Sequence, residues 1–385
     1  MSGFTFNTSK SIRFGAGALG QIGEMTRAEI GERVMLVTDP GMMSTGIVER
    51  ALDALAAAGV HVEVFSDVAA DPPEAVILSA VERAQDAEVA GVIGLGGGSS
   101  LDVAKLVALL APGREALQDV YGVGMAKGPR LPLILVPTTS GTGSEVTPIS
   151  IVTTGTNEKV GVVSPVLLPD IALLDPELTY GLPAHITAAT GIDAMVHAIE
   201  AFASASANNN PVSKSLAKEA LRLMGAAILT AVQDGSNAQA RGDMLLGSML
   251  AGQAFANSPV AAVHALAYPL GGHFHIPHGL SNALVLPHVL RFNIATAPQP
   301  YAELAPYAFP DLGKLEGQAR AAAFCDRLAE LSAECGLQTN LRAMNIPEEI
   351  LPKLAQDAMN QTRLLVNNPR ELTEADALAI YRAAY

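Results

Sequence analysis

The stretch VAGVIGLGGGSSLDVAKLVALL at residues 89–110 decides how the rest of the chain is read. Its first eight residues form a short apolar run bounded by small residues, as expected of a strand buried on both faces. Glycines and serines at 96–100 then turn the chain, and LDVAKLVALL continues as good helix-forming sequence from 101 to 110. Strand, glycine turn and helix in immediate succession open a βαβ unit. The glycines let a backbone approach a phosphate closely, and the helix N-terminus offers N–H donors where its dipole is positive, with the serine hydroxyls as further donors.

Outward from this unit the same grammar repeats. VMLVT at 34–38, VEVF at 62–65 and LILVP at 133–137 read as strands, and IVERALDALAAAG at 47–59 and PEAVILSAVERAQDA at 73–87 as crossover helices, with Gly59 a C-cap. The expectation is an α/β N-terminal domain, residues 1–181, with a mostly parallel Rossmann-like sheet. After Tyr180-Gly181-Leu182-Pro183 strand-like runs vanish and Ala- and Leu-rich helical segments follow, so residues 182–385 are expected to form an all-helical C-terminal domain. A length of 385 residues with 49% hydrophobic and only 16% charged residues suits two globular domains and excludes disorder.

A net charge of −14 repels phosphate backbones and anionic lipid, so neither nucleic acid nor membrane is an expected partner. Cys325 and Cys335 cannot build a disulfide framework and are expected to be idle thiols. The opening MSGFTFNTSKSIRFG has no apolar signal core, and a cytoplasmic location is the corresponding expectation.

Two other segments compete for a nucleotide. FGAGALG places Gly15, Gly17 and Gly20 in the G-x-G-x-x-G pattern, with Asp39 nineteen residues on, but the strand before it, SIRF, is short. Thr138-Thr139-Ser140-Gly141-Thr142-Gly143-Ser144-Glu145 follows the strand LILVP, where open α/β sheets bind ligands. The turn at 96–100 is the stronger candidate because of the strand and helix that flank it. Asp39, at a strand end, would accept bonds from an adenosine ribose and repel a 2′-phosphate, favouring NAD over NADP; its plainer reading is the start of the turn Asp39-Pro40-Gly41.

Chemistry of another kind gathers in the helical half. GIDAMVHAIEAF sets Asp193 and His197 four residues apart, on one face of a helix. Further on, His264, His273, His275 and His278 make four of the chain's eight histidines. A carboxylate with imidazoles suits a borderline divalent ion such as iron or zinc, with a vacant position for a substrate oxygen.

These residues resemble a family along nearly the whole chain. GGGSSLDVAK at 96–105, PTTSGTGSE at 137–145, the lysine of NEKVGVVSP at 157–165, LPAHITAATGIDAMVHAIEAF at 182–202 and the histidine segment at 264–279 are similar, in order, to the iron-containing, or group III, alcohol dehydrogenases. The resemblance implies the dehydroquinate synthase-like fold and a metal-dependent oxidoreductase that moves a hydride between a small alcohol or aldehyde and NAD(H), the metal polarising the substrate oxygen. It implies Asp193, His197, His264 and His278 as ligands of one divalent metal, iron first and zinc second. It places the pyrophosphate on Gly97, Gly98 and Ser99, and lines the cofactor with Asp39, Asp71, Asp102, Thr138, Thr139, Thr147, Lys159 and Leu178. Without it, Lys159 would read as a solvated loop lysine. A homodimer or larger homo-oligomer is implied as well.

One position departs from the family. Where many relatives carry a second histidine four residues after the third ligand, this chain has Tyr268, whose phenol, with a reference pKa near ~10, exchanges protons poorly at neutral pH. Tyr268, His273 or water is then expected to carry the proton. The alternative on the same scaffold is a metal- and NAD-dependent carbon–oxygen lyase or cyclase of the dehydroquinate synthase type.

Overall fold

The structure, a computed structural model, describes residues 3–155 and 158–385. By internal contacts the chain divides into two units, Asn7–Gly181 and Leu182–Tyr385, the latter joined by the described residues before Asn7. That short segment departs from the expected 1–181 grouping because Thr5 exchanges two hydrogen bonds of 2.9 Å with the side chain of Asn208.

The first unit is built on a parallel sheet of β1 (Ser11–Phe14), β2 (Arg33–Val37), β3 (His61–Phe65), β4 (Gly91–Gly96), β6 (Leu133–Pro137) and β9 (Ile171–Leu174), in the order β1-β9-β6-β4-β2-β3. Successive side chains on a strand point to opposite faces, and both faces are covered. Met35, Val37, Val92 and Leu135 pack with Ile77 of α4 (Glu74–Asp86) and with Leu101 and Ala104 of α5 (Gly98–Leu110). Val34, Leu36, Ile93 and Val136 pack with Ile22 of α1 (Ile22–Glu29) and with Val48 and Leu55 of α3 (Ile47–Ala57). Burial on two sides explains the near-continuous apolar strands seen in the sequence. From β2 the chain runs outward to β3 and then returns to β4 on the other side of β2, so the strand order reverses between β2 and β4. The carboxyl ends of such a pair are where open sheets bind ligands.

A second sheet of β5 (Gly122–Val123), β7 (Ile149–Thr154) and β8 (Glu158–Val163), ordered β5-β8-β7, was not anticipated. β7 and β8 form an antiparallel hairpin. Thr153 also meets Pro73 in a bridge, so the hairpin is held by partners distant in sequence that its local pattern does not announce.

The second unit is helical: α6 (Ala184–Ala203), α7 (Pro211–Gln233), α8 (Ala238–Asn257), α9 (Ala262–Phe274), α10 (His278–Ile294), α11 (Gln299–Ala308), α12 (Gly317–Glu334), α13 (Leu351–Ala358), α14 (Thr362–Leu365) and α15 (Glu374–Ala383). From Gly191 to Ala203 every residue of α6 is buried, which marks a helix enclosed by its neighbours. Asp193, His197 and Glu200 therefore sit where polar groups are costly unless partnered. Cys325 and Cys335 are buried and free, and burial pushes their thiols up to about 12 and about 11.

Candidate metal centre and nucleotide turn

Asp193 and His197, one turn apart on α6, face His264 of α9 and His278, the first residue of α10; one ligand atom from each residue lies within 4.8 Å of all the others. Asp193 Oδ1 stands 3.8 Å from His264 Nε2 and 3.8 Å from His278 Nε2. Donors about 2.1 Å from one tetrahedral ion lie roughly 3.4 Å apart, so small side-chain adjustments close the shell. Gly279 makes this approach feasible, because a Cβ there would fall 2.3 Å from the Ala189 carbonyl oxygen of α6.

A residue that sequence reasoning missed sets the chemistry. Glu200, three residues after His197 on α6, accepts from His264 Nδ1 at 2.6 Å and, through its other oxygen, from the Val263 amide at 2.7 Å. A carboxylate partner places the imidazole proton on Nδ1 and leaves the lone pair on Nε2. That Nε2 atom is buried and has no hydrogen-bond partner among the described residues. An orphaned buried acceptor costs about 1–3 kcal/mol, and a cation aligned with it removes the cost. Burial opposes the Asp193 charge, but the imidazoles of His278, His197 and His264 and the Asn282 amide hold its carboxyl below the usual range. Asn282, one turn along α10 from His278, donates to Asp193 Oδ1 at 2.5 Å. His197 is stacked between Phe255, at 4.3 Å, and His264, at 4.8 Å. The residues present fit a divalent metal: one anionic oxygen, three imidazoles, and a carboxylate behind one of them. Glu200 was legible only as a third polar residue on the face of Asp193 and His197.

The other histidines lie outside this cluster. His273 sits nine residues beyond His264, about 13.5 Å along the helix axis, and pairs with Asp357 at 2.7 Å. His275 ends α9 in a left-handed conformation, φ 53°. Tyr268 is one turn from His264, its ring 5.8 Å from that of His278.

In the sheet unit, the two glycine turns differ in who occupies their N–H groups. At FGAGALG, the amides of Gly17 and Leu19 donate to the two oxygens of buried Asp175, at 3.1 and 3.0 Å. An anion of the protein's own already fills that turn. At the carboxyl end of β4, α5 begins after Gly97 with no side-chain cap. A Cβ at Gly97 would meet only Thr139 Cγ2, at 3.8 Å, so the space beside this backbone is left open. At Gly98 it would strike Thr142 Cγ2 at 2.8 Å, which seats the turn against the threonine-rich loop. An uncapped helix start with open space beside it fits a dinucleotide pyrophosphate.

The remaining cofactor candidates fall into small groups. Asp71, at φ 53°, is ion-paired with Lys159 at 2.7 Å. Asp102 accepts from Ser144 Oγ at 2.6 Å and from the Ile151 amide at 2.9 Å, so its carboxylate ties α5 to the loop and to β7. Lys105, wholly buried, donates to Ser144 Oγ, Thr147 Oγ1 and the Ile149 carbonyl, at 2.7, 3.3 and 2.6 Å. Burial pushes the neighbouring Glu145 carboxyl up to about 7, with its own amide and Lys105 opposing. Thr138 is buried against Met42, and Leu178 belongs to the core under α1 and α3. Asp39 Oδ1 accepts from the Met42 amide at 3.1 Å, capping the short helix α2 (Pro40–Met43), as its turn-starting reading expects.

The chain is similar to known proteins across both of its units. Residues 9–176 match the model of the iron-containing alcohol dehydrogenases, and residues 187–385 that of the C-terminal part of the Fe-containing alcohol dehydrogenase family. A long-chain-alcohol dehydrogenase of Geobacillus thermodenitrificans is 42% identical over 378 residues, covering 96% of this chain and 94% of the relative. The crystal structure of a 1,3-propanediol oxidoreductase superposes with a TM-score of 0.96 at 34% identity, covering 100% of both chains. A sulfoacetaldehyde reductase of Bifidobacterium kashiwanohense, solved in complex with NAD+, superposes with a TM-score of 0.89 at 30% identity, covering 100% of this chain and 99% of that one.

Proposed function

Because the chain belongs to the iron-containing alcohol dehydrogenase family, we propose that Asp193, His197, His264 and His278 hold its divalent metal and that Gly97, Gly98 and Ser99 carry the pyrophosphate of NAD. The protein is an oxidoreductase acting on an alcohol or its aldehyde. Both halves match models of that family, which disfavours the lyase alternative.

A bound iron or zinc ion supplies Lewis-acid polarisation of the substrate oxygen. The chain's own residues do the rest. Glu200 keeps the His264 proton on Nδ1 and so keeps Nε2 a donor to the metal. Asn282 orients the Asp193 carboxylate. The start of α5 contributes the favourable end of its dipole to the pyrophosphate, and Asp39 accepts from the ribose, which selects NAD. Asp71, Thr138, Thr139, Thr147, Lys159 and Leu178 line the cofactor, with Asp102 bracing the turn from within. Of the two side chains proposed for the proton, Tyr268 is the nearer, since Asp357 holds His273 more than two turns away. NAD finds support in the solved NAD+ complex of the reductase relative. In this reading residues up to Gly181 serve the cofactor and the helical unit serves the metal, in a cytoplasmic homodimer or larger homo-oligomer. Among the described residues no helix is long and apolar enough to cross a membrane.

The observation that carries the reading is His264 Nε2, buried and without a hydrogen-bond partner amid three other ligand atoms. The test is to strip the protein with a chelator, dialyse it against ferrous or zinc ions, and follow NADH oxidation with short, long-chain and sulfonated aldehydes. One metal per chain and turnover that returns with it are expected. Full turnover in stripped protein, or unchanged metal content in His264→Ala, sinks the reading.

A further inference from the structure

Asp39 is held at both oxygens by groups of the protein itself. Its Oδ1 takes the Met42 amide, and its Oδ2 accepts from Ser100 Oγ at 3.1 Å. Ser100 lies in the first turn of α5 and is 1% exposed, so its hydroxyl has no bulk water to choose instead. Gly96 makes the meeting possible. At φ 150° it is in backbone space that L side chains rarely adopt, and a Cβ there would lie 2.8 Å from Ser100 Oγ and 3.2 Å from Asp39 Oδ2. Met42 of α2, Ser100 of α5 and Gly96 at the end of β4 thus fix one carboxylate at the point where the strand order reverses.

The terminal torsion of an aspartate is broad, so a carboxylate held at one oxygen swings easily. With Oδ2 also pinned, its remaining lone pairs have a set direction. A ribose diol gains from an acceptor already aimed, whereas a 2′-phosphate meets a negative charge that cannot turn away.

We propose that Ser100 is a specificity-positioning residue: its hydroxyl fixes the Asp39 carboxylate in the orientation that favours NAD and rejects NADP. The serine hydroxyl, expected from sequence to face the phosphates, is then used one step behind the cofactor. This inference rests on the reading of Asp39 as the ribose acceptor.

The experiment is a double-mutant cycle on the metal-loaded enzyme, with kcat/KM measured for NADH and NADPH in wild type, Ser100→Ala, Asp39→Ala and the double variant. Ser100→Ala is expected to lower the NADH/NADPH ratio about tenfold, the scale of one hydrogen bond to a charged group. Asp39→Ala is expected to lower it further, and adding Ser100→Ala to it should change nothing more. A merely structural serine would instead affect both cofactors alike. An unchanged ratio in Ser100→Ala while Asp39→Ala shifts it overturns the role of Ser100 and leaves that of Asp39 standing. Equal shifts from Ser100→Ala with and without Asp39 also overturn it. A ratio unmoved by Asp39→Ala removes the ribose reading and this inference with it. Thermal melts of each variant verify that the compared proteins are folded, and Ser100→Cys, which keeps the volume but donates poorly, provides a second test with the same expected direction.

Discussion

Gly15–Gly20 and Gly96–Ser100 are both glycine-rich turns that follow a parallel strand and open a helical segment, yet their surroundings are opposite. The first closes on Asp175, which supplies its own anion to the Gly17 and Leu19 amides. The second starts a thirteen-residue helix with no side-chain cap and an open side at Gly97. Motif spacing cannot tell these apart. What separates a structural turn from a binding turn is whether the protein has already satisfied the N–H groups.

The comparison can be broken from either side. Asp175→Ala should cost the most, about 3 kcal/mol, because the amides of Gly17, Leu19 and Glu177 all lose an acceptor that is itself wholly buried. Chemical denaturation reads the loss, while NADH affinity of the folded protein should stay within about twofold, as expected of a site not built to hold an outside anion. Gly97→Ala should do the reverse. Its new Cβ meets nothing closer than 3.8 Å, so stability should hold, but NADH binding by fluorescence titration should weaken roughly tenfold to a hundredfold. Were Asp175→Ala to abolish NADH binding and Gly97→Ala to spare it, the two turns would have to exchange roles.

The proposed metal centre extends the contrast to a site that leaves an acceptor, not donors, without a partner. Glu200→Gln can still accept from His264 Nδ1, but its amide nitrogen would then face the Val263 amide, donor against donor. Metal affinity in competition with a chelator should fall at least tenfold, the scale of lost support behind a ligating histidine. Unchanged affinity would reduce Glu200 to a helix cap.

Near Lys105 of α5, Glu145 gives a pH-dependent signal. Its folded pKa, about 7, lies above its ordinary carboxylate value, so the native state holds the proton more tightly than the unfolded one. Stability should therefore fall as pH rises from about 4.5 through about 7, and Glu145→Gln should flatten that slope in melts across the range. A slope that survives the substitution would assign it to other groups. Last, Tyr268→Phe should lower turnover by roughly tenfold or less, with a changed pH profile and unchanged metal content. An identical profile leaves His273 or water as the proton's route.

Much of this was legible beforehand. The apolar strands of the first unit announced a sheet covered on both faces, and Asp193 and His197 announced themselves by helical spacing. Which two of four clustered histidines join them was not readable from spacing. That depends on α9 ending at Phe274, capped by His275, and α10 starting at His278, so that His273 turns to Asp357 while His278 faces Asp193. The β7–β8 hairpin escaped notice because its support at Pro73 lies some eighty residues away in the chain.

By itself the sequence determined the periodicities, and with them the strands of the parallel sheet and the helices, while its motifs carried the reaction class through their resemblance to a family. Only the tertiary structure decided the partners: Asp175 at one glycine turn, Ser100 behind Asp39, Glu200 behind His264. Periodicity is local and survives in any segment long enough to display it, whereas a hydrogen bond between residues 39 and 100 or 200 and 264 exists only once separate elements have packed. The cost of leaving a buried polar group unmet then selects which pairs form.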